Sequence, residues 1–271
     1  EAAEDARADG VVLAEFRIAP LLFEAHGLAG EAVVEALLEG LADDPLPSGL
    51  IVCAMRQLAP EATLRAAQLA LKYQGRGVVG FDLAGPERGF PAASHAQALT
   101  RVRDAGLPIT LHAGEADDAE QVVQALRLGA ARVGHGVRLA DALHDPARRA
   151  LLDEVLQAGL HLEVCPTSNV HTGAAASLAT HPITALWRAG VSLSFHTDNR
   201  LISCLSHSSE AAALLRETAL TVSDLQAMAA QALQHAFLPA QDKARARAAM
   251  GAAGAASAAP PPAPSVQQRH G

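Results

Sequence analysis

Strict alternation is the feature that most restricts what this chain can fold into. Seven short runs rich in β-formers are VVLAEFRI (11–18), LIVCAM (50–55), VVGFDL (78–83), ITLHA (109–113), RVGHGV (132–137), HLEVC (161–165) and VSLSFHT (191–197). Between them, residues 31–41, 61–73, 94–104, 118–128, 147–157 and 183–188 carry apolar side chains at helical spacing. Gly106, Gly129, Gly159 and Gly190 stand where a helix would stop and a strand begin, as a left-handed residue past a helix end requires. Ser94 with Gln97, and Asp117 with Glu120, have the spacing of capping boxes. Such alternation implies parallel strands joined by crossover helices, and so either an open doubly wound sheet or a closed barrel.

Beyond the seventh strand, 208–217, 222–237 and 240–250 read as further helices. From Gly251 the chain becomes GAAGAASAAPPPAPSVQQRHG, which has no periodic apolar face to bury. Residues 1–250 are therefore expected to form the barrel domain and 251–271 a disordered Ala/Pro-rich tail.

Half of the 271 residues are apolar, ample for one core. A net charge of -8 without a basic stripe argues against a nucleic-acid partner. Cys53, Cys165 and Cys204 lie far apart, which disfavours a disulfide framework or a cysteine zinc site. There is no run of about 18 uncharged apolar residues, and the opening EAAEDARADG is acidic where a signal peptide would be basic and then apolar. No membrane association and a cytoplasmic location are expected, and oligomeric state is left open. The first residue is Glu rather than Met, so the chain is expected to begin inside a longer gene product.

Reactive residues gather at the C-terminal ends of the strands, where barrels keep their sites: Asp82 in FDLAGPE, His112 and Glu115 in LHAGE, His135 in VGHG and Asp198 in HTDN. Strands lie about 4.8 Å apart. The strands bearing His112 and Asp198 are three apart in order, so an open sheet would hold them about 14 Å apart. A barrel points both at a common axis, where one ion could sit between them. Taken singly, each residue has a plainer reading: His112 a packed core histidine, Glu115 a solvated acid at a helix start, Asp198 a helix cap, Gly85 an ordinary turn glycine. His95, His144, His181 and His270 read as solvated histidines in helix-start or tail contexts.

Taken together, DLAGPE (82–87), HAGE (112–115), GHG (134–136), CPTSNVHTG (165–173) and TDN (197–199), with AEFRIAP (14–20) ahead of them, resemble the adenosine deaminase family of zinc aminohydrolases within the amidohydrolase superfamily. The resemblance implies a TIM-type (β/α)8 barrel with the first strand missing, seven parallel strands being visible, plus C-terminal helices. It implies one Zn2+ per chain held by His112 and Asp198, with Glu115 as proton donor to the purine ring and His135 steering the attacking hydroxide. Gly85 would offer its backbone N–H to the purine. The implied activity is hydrolytic deamination of adenosine and 2'-deoxyadenosine to inosine and ammonia in purine salvage, with a small purine nucleoside as partner. CPTSNVHTG resembles the adenosine branch most closely, and Asn169 and Thr172 either structure that loop or face the pocket.

Two departures from the family pattern stand out. Where many members carry a second acid beside purine N7, this chain has Asn199, whose NH2 donates at every relevant pH. The family's first strand, with its His-x-His pair, has no counterpart, although a catalytic zinc site normally takes three protein ligands and a water. The 271 residues alone are therefore expected to be inactive and to bind zinc weakly, with His196 the candidate substitute ligand. Two alternatives remain open: a deaminase of another 6-aminopurine of the adenine or aminofutalosine type, and a catalytically dead barrel binding purines or a partner.

Overall fold

The computed structural model describes residues 1–258. Its seven strands are β1 (Ala14–Ile18), β2 (Ser48–Met55), β3 (Val78–Ala84), β4 (Ile109–Ala113), β5 (Arg132–His135), β6 (His161–Val164) and β7 (Leu193–Phe195). They form one sheet in sequential order, and every neighbouring pair is parallel. β1 and β7 are not paired with each other, and among the described residues no eighth strand lies between them.

Side-chain contacts across the sheet show that it is curled. Arg17 on β1 meets Glu163 on β6 at 2.6 Å, and Glu15 on β1 meets Arg132 on β5 at 2.6 Å. In a flat sheet, five strand steps would separate β1 from β6 by about 24 Å. The fold is thus a TIM-type barrel with one strand missing.

Alternation along the strands sorts side chains to the two faces. Phe81, Leu83, Ile109, Leu111, Val133, Leu162, Val164 and Leu193 are fully buried or nearly so and belong to the main apolar core. The intervening positions, Glu15, Arg17, Asp82, Thr110, His112, Arg132, His161, Glu163, Ser194 and His196, face one another inside the curl. Interiors of such barrels are more often filled by branched aliphatics. Here the filling is ionic: Glu163 takes Arg17 and also the Thr110 hydroxyl (3.2 Å), and lies 2.5 Å from Arg132 Nε. That last pair is a charge contact, since the Arg132 Nε–H has no acceptor in line.

The helices of the described residues are α1 (Ala2–Ala8), α2 (Gly30–Ala42), α3 (Pro60–Lys72), α4 (Ala96–Asp104), α5 (Ala119–Arg127), α6 (Asp141–His144), α7 (Arg149–Ala158), α8 (Pro166–His171), α9 (Ile183–Arg188), α10 (Arg200–Ser203), α11 (His207–Glu217), α12 (Val222–His235) and α13 (Ala240–Ala258). α5 shows how they hold: Ala119, Val122, Val123 and Ala125 are buried on one side, and each valine is worth about 1.5–3 kcal/mol out of water. Gly106, Gly129, Gly159 and Gly190 all have positive φ, as the helix-stop reading requires.

The capping boxes differ from expectation. Ser94 lies within a 3-10 turn (Ala92–His95), and α5 has no side-chain cap at Asp118; Asp117 accepts only from the next backbone N–H. The boxes that do form are Ser206 with Ser209 and Thr221 with Asp224, where both reciprocal bonds are present. α13 runs past Gly251 to Ala258, so the expected tail begins helical; its remainder, 259–271, lies outside the described residues. Among the described residues no helix is long and apolar enough to cross a membrane.

α1 bridges the gap between β7 and β1 by polar contacts. Asp5 accepts from Arg200 of α10 (2.7 Å), Asp9 accepts from the Ser208 backbone of α11 (2.9 Å), and Arg7 pairs with Asp44 after α2 (3.3 Å).

Candidate active site

The strand ends deliver their polar residues to one mouth. Asp82 on β3 is fully buried, and its carboxylate lies 2.9 Å from Nδ1 of His112 on β4 and 3.3 Å from Arg17. Burial alone would raise the Asp82 pKa, but His112 and Arg17 outweigh it and bring it to about 2. Burial likewise works against a charged His112, yet the adjacent Asp82 carboxylate raises its pKa overall. Because Asp82 takes Nδ1, the ring presents Nε2 to the mouth, the arrangement in which a carboxylate orients a metal-binding histidine.

His135 reaches the mouth by a backbone device. It shares strand parity with Val133, which faces the helices, but its φ of 66° turns the side chain away from that face. Its ring centroid lies 5.2 Å from that of His112, and its Nε2 is 3.5 Å from Glu115 Oε2. Burial lowers its pKa. Asp198, just past β7, also has positive φ, 56°, and such strain persists only where the surroundings over-determine it. Its Oδ2 accepts from Ser168 Oγ at 2.6 Å. Burial pushes the Asp198 carboxyl up, while the Ser168 hydrogen bond, His135 and His112 together bring it below its ordinary value.

Ligand atoms of His135, Cys165 and Asp198 all lie within 4.8 Å of one another. His112 stands beside this trio and close enough to feel the Asp198 charge. The donor set of imidazole nitrogens with a carboxylate suits zinc. Cys165 is the unexpected neighbour, since the cysteine spacing had argued against any thiol at a metal site. Its thiol is buried, and burial together with Asp198 raises its pKa. His196, the candidate substitute ligand, is elsewhere: its Nε2 pairs with Ser194 Oγ at 2.7 Å within the barrel interior, and burial lowers its pKa to about 4. All three cysteines are free.

Glu115 is gripped rather than solvated. Its Oε1 accepts from Asn169 Nδ2 (2.9 Å) and Thr172 Oγ1 (2.8 Å), so both loop residues serve the site. Its backbone is held too: the buried Glu87 carboxylate accepts from the N–H groups of Gly114 (2.8 Å), Glu115 (2.8 Å) and Ala116 (3.1 Å). Gly85 has φ of 100°, a backbone conformation that side chains rarely adopt, and a Cβ there would press on the Gln57 amide oxygen, so any other residue is strained at this turn. Asn199 caps α10: its Oδ1 accepts from the Ile202 N–H at 3.2 Å, which leaves Nδ2 as its donor.

Asp82, Glu87, Ser168, Asn169 and His181 thus shape the site although the sequence reading assigned them no definite role. Two of the four histidines expected in solvent are buried. His95 is held between Thr63 Oγ1 (2.8 Å) and the Arg56 carbonyl (3.0 Å), and His181 between the Ile183 N–H and Asn169. Each found partners for both ring nitrogens, which removes the cost of burying a polar ring. His144 is exposed as expected, and His270 lies outside the described residues.

A curled parallel sheet with imidazoles and carboxylates converging at the C-terminal mouth defines the class of metal-dependent amidohydrolases. A family model described as Adenosine deaminase matches residues 1–251. An adenosine deaminase of Mycobacterium ulcerans is 38% identical over 253 residues, covering 88% of this chain and 69% of that protein. Adenosine deaminase 1 of Streptomyces coelicolor is 39% identical over 258 residues, covering 90% and 65% respectively. Among solved structures, the apo N6-methyl-AMP deaminase of Arabidopsis thaliana superposes with a TM-score of 0.83 at 25% identity, covering 93% of this chain and 76% of that one. The chain belongs to the adenosine deaminase family.

Proposed function

We propose that the complete protein hydrolyses adenosine, and 2'-deoxyadenosine, to inosine and ammonia, acting in cytoplasmic purine salvage. The observation that carries this reading is the placement of Glu115, whose Oε1 is saturated by two donors while Oε2 faces His135 beside the imidazole and carboxylate cluster. His112 through Nε2 and Asp198 through its carboxylate would hold one zinc ion. Bound zinc supplies a water acidified to near neutrality. Glu115 Oε2 gives its proton to the ring nitrogen next to C6 as oxygen adds there, so the charge of the broken aromatic system does not build up. His135 Nε2 faces the same space, where it would steer the attacking hydroxide. Gly85 N–H and Asn199 Nδ2 are donors suited to purine ring nitrogens.

The test is ammonia release from adenosine by the complete protein loaded with zinc, run beside adenine and AMP as competing 6-aminopurines. Adenosine turnover is expected, with Glu115→Gln lowering kcat by about 10²–10⁴-fold, the usual worth of a positioned acid. Absence of ammonia from adenosine at every zinc concentration would overturn the reading.

A further inference from the structure

His181 and Asn169 are both buried. Their hydrogen bonds have only one consistent proton assignment. The Ile183 backbone N–H donates to His181 Nδ1 at 3.1 Å, so that nitrogen carries a lone pair. The proton of the neutral ring must then sit on Nε2, which lies 3.3 Å from Asn169 Oδ1. Burial, with His135 adding to it, lowers the His181 pKa to about 4, in keeping with a neutral ring. Asn169 Oδ1 is thereby fixed as the acceptor, and the amide cannot flip without setting oxygen against oxygen.

Its Nδ2 has two hydrogens and two acceptors, Glu115 Oε1 at 2.9 Å and His135 Nδ1 at 3.1 Å. With Thr172 also donating to Oε1, that oxygen is filled, and a proton on the Glu115 carboxyl belongs to Oε2. With Nδ1 of His135 accepting, the neutral ring carries its proton on Nε2, the atom 3.5 Å from Glu115 Oε2.

We propose that His181 and Asn169 are positioning residues: a backbone amide sets the His181 tautomer, His181 sets the Asn169 amide, and Asn169 sets which atoms of Glu115 and His135 face the substrate. This deepens the deaminase reading and rests on it for its consequence in catalysis, although the proton assignment stands on the hydrogen bonds alone. A static carboxyl would present either oxygen; here one is committed to holding and the other to transfer. The arrangement saves the reorganisation that a general acid otherwise undergoes at the moment of transfer.

Two measurements on the complete protein separate the proposal from the activity it serves. First, imidazole 15N shifts of the wild-type protein should show a pyridine-type Nδ1 and a protonated Nε2 at His181. Second, kcat and KM for adenosine should be measured on zinc-loaded variants. Asn169→Asp keeps the shape but turns the double donor into an acceptor, and kcat is expected to fall about 10²-fold or more with KM little changed, as for an interaction made in the transition state. His181→Leu should lose a comparable factor. His181→Gln, whose amide can accept from Ile183 and donate to Asn169, should restore kcat to within about tenfold of wild type. A proton on His181 Nδ1 overturns the proposal, as does a His181→Leu enzyme with kcat within about threefold of wild type. If wild type releases no ammonia from adenosine, the functional reading fails while the 15N result still decides the relay.

Discussion

If the sheet is curled as described, Arg17 and Glu163 must report on each other's removal. Glu163 sits 2.6 Å from Arg17 and 2.5 Å from Arg132, so Glu163→Gln withdraws the shared counter-charge of two guanidinium groups held inside the barrel. Breaking a buried pair from one side costs about 3–5 kcal/mol. The lower end is expected here, because Arg17 keeps Asp82 and Arg132 keeps Glu15. Arg17→Met removes the other partner and should cost a similar amount. The informative quantity is the double-mutant cycle. Residues in direct contact couple by about 0.5–3 kcal/mol, whereas sites farther apart than about 7–10 Å add to within about 0.5 kcal/mol. A flat sequential sheet places β1 and β6 about 24 Å apart. Urea unfolding of the complete protein at pH 7.5, followed by far-ultraviolet circular dichroism, yields all four free energies. We expect a coupling of about 1–3 kcal/mol. Additivity to within about 0.5 kcal/mol would refute the contact and with it the curl.

Further outcomes follow from the same geometry. Asp82→Asn should weaken zinc binding by about 10–100-fold through loss of the carboxylate that orients His112, measured by competition with a chromogenic chelator. His181 is neutral when folded down to about pH 4 but takes up a proton near 6.5 when unfolded, so its contribution is complete above 6.5 and declines as pH falls toward 4. At 1.36 kcal/mol per pH unit that interval is worth about 3 kcal/mol. Urea midpoints from pH 7.5 to 4.5 should therefore fall less steeply for His181→Gln than for wild type. Gly85→Ala should lose about 1–3 kcal/mol of stability to its positive φ, read as a lowered Tm, and an unchanged Tm would contradict the strained turn. Asn199→Asp keeps an oxygen to cap α10 but must be protonated to donate, so KM for adenosine should become pH-dependent; a flat profile would remove Asn199 from purine recognition.

The strand positions were legible because each lies in a short β-rich run, and β4 to β7 each follow a helix-stopping glycine. Their ends were less so: of VSLSFHT only Leu193–Phe195 is regular strand, with the Ser192 carbonyl and the His196 N–H still bonded to β6 before the chain turns left-handed at Asp198. Polar and apolar residues alternate in AEFRI and HLEV, which by itself reads as a half-solvated strand. Only the curl turns the polar half inward, and the partners that make this tolerable come from strands far apart in the chain. His112, Glu115 and Asp198 could be picked out as polar groups at strand ends. The arrival of His135 depends on a left-handed backbone that simple alternation contradicts. Nothing in the sequence paired His181 with Asn169, because the stretch between α8 and α9 has no periodicity to reveal that the two meet.

The clasp made by α1 ties the first residues of the chain to the catalytic rim. Asp5 holds α10, which follows Asp198 and Asn199 directly, and Asp9 holds α11, the next helix. Nicking the backbone ahead of Gly10 would remove none of the proposed functional side chains yet would loosen the segment that follows Asp198, so the integrity of α1 becomes a condition for a well-formed metal pocket far along the chain.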